Sequence, residues 1–524
     1  MSNWSAMTKS ATGENSQSNT ERLDSNHVSK SNRRGKMDTY RQPLEPSPPS
    51  PSQYGIGADV EMRAKDLPEI GSVLNEALFP ERLFPVIFPG EGGLKAIREA
   101  TEASLESVDM SMIKASDSVN ILASHHSFLL LGGEPYAEVI RTVKDVVQKR
   151  TGAKDIRFLG GVGLRFRETE EQINKFGLDE YFDGKAWGVA PIDRGVPIET
   201  SIGTLYGIKK VYDADWIIHT HNTDIREVHF HRMVDRIMKP FGMSYARIET
   251  RSVYHHNLGP RGANFVARAI FESEVVQKKY AFTTILKAFP AGITGVDSDN
   301  DLLALNDRIT VESLLEYGKV VTLLGKIPEC IAILDCPGPV PYTFGGGLIF
   351  GNFLSASVDQ FDLDSPLTPY SFFSEMSFGV DEECLYPDVP FLNPSIKMVI
   401  NNYSFKGYPS NFFAEHLPTV VVGEKMAELF RNCPQNSEYM NHALTADSLK
   451  AAMQFAYHAT GTRNVVIFDG ARGGINASAS LIDLLLETAP KVEEEVERDL
   501  LPKWLHQRGL APELVEQTRL RATA

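Results

Sequence analysis

The chain has 524 residues, too many for one ordinary hydrophobic core, so two folded lobes with extensions are expected. Apolar residues make up 42% and charged residues 23%, a globular balance, and the formal net charge of −15 argues against recruitment by nucleic acid or an anionic membrane. The four cysteines (Cys330, Cys336, Cys384, Cys433) are too scattered for a disulfide framework or a CxxC zinc site, and no apolar run suits a bilayer span or a secretory signal, so a cytoplasmic protein is expected.

Residues 1–56 are rich in Ser, Asn, Pro and charge and bury too little apolar surface to order themselves, so they read as a disordered tail. A first α/β lobe is expected over 57–265. In it SVNILAS (118–124) reads as a buried strand, PYAEVIRTVKDVVQKR (135–150) as an amphipathic helix, and DIRFLGGVG (155–163) as a strand running into a glycine turn. Thr169 and Gln172 have capping-box spacing ahead of a helix in EEQINKFG. DADWIIHTH (213–221) reads as a third strand. Such alternation predicts a parallel sheet with helices on its faces and ligands beyond the carboxyl ends of its strands. A mostly helical stretch is expected from Ala263 to about Tyr317, within a helical and irregular connecting region over 266–394. A second α/β lobe over 395–524 has strands in SIKMVINNY (395–403), LPTVVVG (417–423) and RNVVIFDG (463–470), with a helix at ADSLKAAMQFAYHA. The predicted fold is α/β: two lobes with mainly parallel sheets and a cleft between them.

The chemical signal is histidine. Six of the thirteen histidines fall between 219 and 256: His219, His221, His229, His231, His255 and His256. His125 and His126 follow the first strand. Neutral imidazole is a common metal ligand, and its ordinary pKa near 6.5 suits proton transfer at neutral pH. HTHNTD (219–224) puts two imidazoles on one side of an extended strand, a spacing found in zinc hydrolases, so a zinc site from His219, His221 and Asp224 is one reading. GPRGAN (259–264) precedes a helix, so Arg261 and the backbone N–H groups could hold a cofactor phosphate, or form a plain glycine turn and cap. FDGARGGINAS (468–478) matches neither GxxxxGK[ST] nor GxGxxG. By itself Lys239 reads as a solvated lysine ending a helix.

His229, Lys239 and His255 lie ten and then sixteen residues apart. That triplet, after a strand–helix domain of this length, resembles the nickel-pincer lactate racemase family. There a histidine is a catalytic base, the lysine carries a covalently attached nickel-pincer nucleotide, and the second histidine is the protein's ligand to nickel. KPFG (239–242) resembles the segment that follows the family's lysine, GVGLRFRETEEQ (161–172) its first-domain turn and helix, and NNYSFKGYPSNFF (401–413) its Gly-Tyr-Pro loop, which lines the substrate pocket. The likeness runs over roughly residues 115 to 480 at low identity. It implies His229 as a base, Lys239 as the cofactor anchor, His255 as the metal ligand, and cofactor-maturation enzymes as partners.

The departures bear on substrate. The family's Asp-His-Thr-Arg motif reads Ser124-His125-His126-Ser127 here, without its carboxylate-binding arginine. Its second catalytic histidine, in a Gly-Thr-His-Arg turn, is replaced by Arg165 in Gly163-Leu164-Arg165-Phe166. The tyrosine–glutamine pair expected beyond Gly-Tyr-Pro falls near Glu415 and His416. The anchoring residues look retained and the substrate-facing ones changed, which favours a 2-hydroxy acid other than lactate, an aldonate by preference. His125 or His126 then takes the second base role, Arg165 the substrate carboxylate, and Lys406 and Tyr408 the remaining substrate contacts. The competing readings are the zinc hydrolase and a non-catalytic protein whose histidines store or sense metal.

Overall fold

The computed structural model describes residues 60–124, 127–128, 133–161, 168–223, 236–256, 262–335, 359, 361–364, 393–403, 411–432, 438–469 and 471–523. The chain divides into two units, 1–40 and 41–524, and every described residue lies in the second. The expected tail over 1–56 lies outside the described residues.

The strands in chain order are β1 (Ile70–Leu74), β2 (Ser118–Ser124), β3 (Asp155–Gly161), β4 (Ala186–Val189), β5 (Gly195–Thr200), β6 (Gly203–Ile208), β7 (Trp216–Asn222), β8 (Tyr280–Phe289), β9 (Gly292–Asp299), β10 (Cys330–Leu334), β11 (Ile396–Asn401), β12 (Thr419–Val422), β13 (Leu444–Ala446), β14 (Val465–Phe468) and β15 (Gly474–Ser478). The helices used below are α1 (Gly93–Leu105), α2 (Glu134–Thr151), α3 (Glu168–Lys175), α4 (Ile248–His256), α5 (Gly262–Phe271), α6 (Leu302–Leu324), α7 (Leu449–Thr460), α8 (Ala479–Glu495), α9 (Leu501–Gln507) and α10 (Glu513–Thr523).

Two sheets organise the α/β fold. The first runs β4-β3-β2-β7-β8-β9, parallel except for the last strand. The second runs β1-β15-β14-β10-β11-β12-β13, parallel from β14 to β13. Helices cover both faces of each sheet. On the first, Ile121 and Phe158 pack with Tyr136 and Val143 of α2, while Leu122 and Leu159 pack with Phe241 and Ile270 on the opposite side. On the second, Leu334 and Val466 join Leu485 and Trp504, while Ile331 and Ile333 join Met453 and Ala456 of α7. Burial on both faces explains why the central strands read as unbroken apolar runs rather than alternating ones.

Several expectations need correction. The described part of 266–394 is not only helical and irregular: besides α6 it holds β8 and β9, which complete the first sheet, and β10, which is central to the second. The stretch 263–317 is helical only in parts, broken by the hairpin β8–β9. The lobes also interleave in sequence, since β1, near the start of the described chain, pairs with β15 near its end. Thr169 lies inside α3 rather than ahead of it, so it does not serve as the cap. Its methyl instead packs where a side chain at Gly160 would stand.

Candidate functional site

In the first sheet, β2 comes first in the chain; β3 then lies on one side of it and β7 on the other. The carboxyl ends of β2 and β7 therefore border the topological switch point, where a parallel sheet opens a crevice for ligands.

Three strand ends converge there on one segment, residues 236–247. Ser124, the last residue of β2, shares a hydrogen bond with Ser244 (Oγ to Oγ, 3.0 Å). Gly161, the last residue of β3, lies so close that a Cβ there would stand 2.4 Å from the Ser244 carbonyl oxygen, so glycine is required. From β7, His219 Nε2 lies 2.9 Å from the Ile237 carbonyl and its Nδ1 lies 2.9 Å from the Tyr245 hydroxyl. A carbonyl only accepts, so Nε2 carries the proton, and the neutral ring accepts at Nδ1 from the Tyr245 O–H. Burial pushes the His219 pKa down to about 4, against the opposing pull of the Ile237 carbonyl, so the ring stays neutral at physiological pH.

His221, also buried, pairs through Nδ1 with Ser127 Oγ at 2.9 Å. Asn222 Nδ2 reaches the Ser127 carbonyl at 3.3 Å, and the Tyr136 and Thr220 hydroxyls meet at 2.7 Å. The expected HxH geometry is present, with ring centroids 5.9 Å apart on one side of β7. That side is interior, packed with Phe241 and Tyr245. With one nitrogen donating and the other accepting, His219 has no lone pair left for zinc. Among the described residues no group of three His, Cys, Asp or Glu side chains could hold a metal ion.

Lys239 opens the helical turn Lys239–Gly242 instead of ending a helix, and it is half-buried. The rest of the turn, Pro240, Phe241 and Gly242, is buried. Tyr245 N–H donates back to the Pro240 carbonyl (2.8 Å). The Arg251 Nε–H of α4 donates to the Met243 carbonyl (2.6 Å). Burial draws the Arg251 pKa down to about 10. Gly242 sits against the ring of Tyr254, where a Cβ would come within 2.7 Å of it. Tyr254 adjoins His255, the penultimate residue of α4.

His125, His126, Arg165, Asp224, His229, Arg261, Lys406 and Tyr408 lie outside the described residues. Their described flanks are informative. His125 and His126 stand between Ser124 and Ser127, Arg165 between the end of β3 and α3, and His229 between the end of β7 and the Lys239 segment. These candidates thus follow three adjacent strand ends bordering one crevice. Lys406 and Tyr408 follow β11, in the second sheet. Sequence reasoning missed Ser127, Tyr136, Ser244, Tyr245 and Arg251. Only Ser127, beside the histidine pair, carried a local signal.

No family model and no curated protein matches this sequence. Among solved structures, the chain is similar to a lactate racemase apoprotein from Thermoanaerobacterium thermosaccharolyticum, with 13% identity, a TM-score of 0.40, and coverage of 72% of this chain and 92% of that one. A loganic acid methyltransferase with SAH gives 11% identity, a TM-score of 0.19, and coverage of 44% and 60%.

Proposed function

We propose that this protein is an isomerase that inverts C2 of a 2-hydroxy acid, a sugar acid such as an aldonate in preference to lactate, with a nickel-pincer nucleotide attached at Lys239 and its nickel bound by His255. The observation that carries the reading is the seating of Gly242 on the Tyr254 ring, which brings the turn that begins at Lys239 against the last turn of the helix that contains His255. The residues present fit the group in that respect: an amine for attachment and an imidazole for nickel come from two elements in direct contact. When bound, such a group supplies a hydride acceptor for C2.

The remaining work falls to this chain's side chains. His229 takes the substrate hydroxyl proton, and His125 or His126 handles the proton on the opposite face. Arg165, always charged, grips the carboxylate in a two-pronged contact. Lys406 and Tyr408 contact the substrate from the second lobe.

The test is intact-mass and peptide analysis of protein purified from its native host, where the cofactor-maturation enzymes are present. An adduct of several hundred daltons on the Lys239 peptide, with nickel, is expected, and it should vanish in Lys239→Ala. Bound zinc with an unmodified Lys239 would overturn the proposal in favour of a hydrolase. In the modified enzyme, Arg165→Ala should raise KM for the acid at least tenfold; an unchanged KM would remove Arg165 from carboxylate binding.

A further inference from the structure

A cavity of about 300 Å³ lies away from this crevice, at the lower end of the size range of small-molecule pockets. Helix α6 forms one wall with Leu315, Glu316 and Lys319, and Phe79 and Leu83 add apolar surface. The α10 residue Arg519 and Glu497 complete the rim. Glu497 belongs to the π-helical turn Val496–Leu500 that joins α8 to α9, and such turns often mark functional positions.

The charges around the cavity do not cancel evenly. Lys319 is held by Glu493 (2.6 Å) and Glu497 (2.8 Å). Arg519 pairs with Glu497 at 3.1 Å, and Arg82 with Glu76 at 3.1 Å. One turn before Glu316 on the same helix, Glu312 has its own cation in Lys287 at 3.2 Å. Glu316 is half-buried and lines the cavity, yet among the described residues no cation comes within 4 Å of its carboxylate. Its carboxyl has a backbone hydrogen bond from Leu83 and only the longer-range pull of Lys319 and, more weakly, Arg82. Burial raises its pKa, opposed by that pull and that hydrogen bond, and Glu312 raises it further. A carboxylate walled in this way is costly unless a positive charge joins it.

We infer that this cavity binds a small aliphatic amine, with Glu316 as counter-ion to its ammonium group and Phe79, Leu83 and Leu315 against its methylene chain. The anionic alternatives are disfavoured, because the nearby cations already hold carboxylate partners. Glu316, by contrast, has no ion-pair partner within 4 Å among the described residues, which leaves its carboxylate for a ligand's ammonium.

The experiment is thermal unfolding and calorimetric titration of the full chain with putrescine, using adipate and sodium chloride at matched ionic strength as controls. A saturable rise in Tm with putrescine alone is expected. Glu316→Gln should weaken putrescine binding at least tenfold without lowering the basal Tm, since it removes a half-buried charge that no described cation pairs with. Leu83→Trp, which fills the cavity without altering a charge, should abolish binding and covers the case in which the first variant folds poorly. No saturable response to putrescine, an equal response to adipate, or equal affinity in either variant would overturn the inference.

Discussion

His219 shows how one buried side chain can hold a segment in place. Its ring passes a hydrogen bond from the Tyr245 hydroxyl through to the Ile237 carbonyl, and so holds both sides of the turn that contains Lys239. The same burial makes it a source of acid sensitivity. Its folded pKa of about 4 lies below the unfolded value of 6.5. As pH falls through 6.5 the unfolded chain takes up a proton that the folded chain refuses, so stability is lost from there down to about pH 4. A shift of that size corresponds to roughly 3 kcal/mol at most. Urea unfolding at pH 7.5 and 4.5 should show this loss in the native protein and a smaller one in His219→Phe. The variant should also start about 1–3 kcal/mol less stable at pH 7.5, because Tyr245 and Ile237 lose their partner. An identical pH dependence in both proteins would remove His219 as the cause. The histidine pair was legible in the sequence as two imidazoles on one face of a strand. That the face is interior was not, because the partners of His219 lie eighteen and twenty-six residues further on and meet it only in the folded chain.

At the scale of elements, the strands around the crevice were readable because their composition leaves little choice. SVNILAS became β2 with the expected bounds, and DIRFLGG and WIIHTHN became β3 and β7. YAFTTILKAF and GITGVDSD were missed, because a short apolar run without alternation reads equally as a buried strand or a helix turn. Their Thr, Ile and Phe content was the signal for strand. The end of β3 supplies an element-level test. Gly161→Ala would push a methyl into the Ser244 carbonyl at 2.4 Å, a backbone atom that cannot swing aside. The expected cost is about 1–3 kcal/mol, with displacement of the 236–247 segment visible as altered hydrogen exchange there. Gly71→Ala meets only the tip of Ile482 at 3.1 Å and should change stability far less. Equal effects of the two substitutions would show that the close approach at Ser244 does not govern the segment. The anchor of the candidate site, Lys239, was legible through spacing alone. What supports it, from Ser124, Gly161 and Tyr254, is tertiary and has no local pattern.

Across the whole molecule, the end of β8 links the two sheets. Phe289 closes a strand of the first sheet, yet its ring is fully buried in the core that holds Leu334, Val466 and Trp504 of the second lobe. The surrounding backbone is bound to the second lobe as well. Arg472, on the loop between β14 and β15, donates to the Phe289 carbonyl at 3.1 Å, and Gly473 N–H donates to the Pro290 carbonyl at 2.8 Å. Asn75 N–H in turn reaches the Gly473 carbonyl at 2.8 Å, and the Tyr317 hydroxyl of α6 donates to the Ala288 carbonyl at 2.7 Å. Lobes joined by a buried aromatic and a chain of main-chain hydrogen bonds should unfold together, unlike domains joined by a solvated linker. Phe289→Ala tests this, since it leaves a cavity in a core to which the residue's own sheet does not belong. The expected loss is about 3–5 kcal/mol. Native-state hydrogen exchange should then show protection falling in β10 and β14 as much as in β8, with one unfolding transition retained. Loss of protection confined to β8 and β9 would mean that the lobes are energetically separate and that the shared core is contact without coupling.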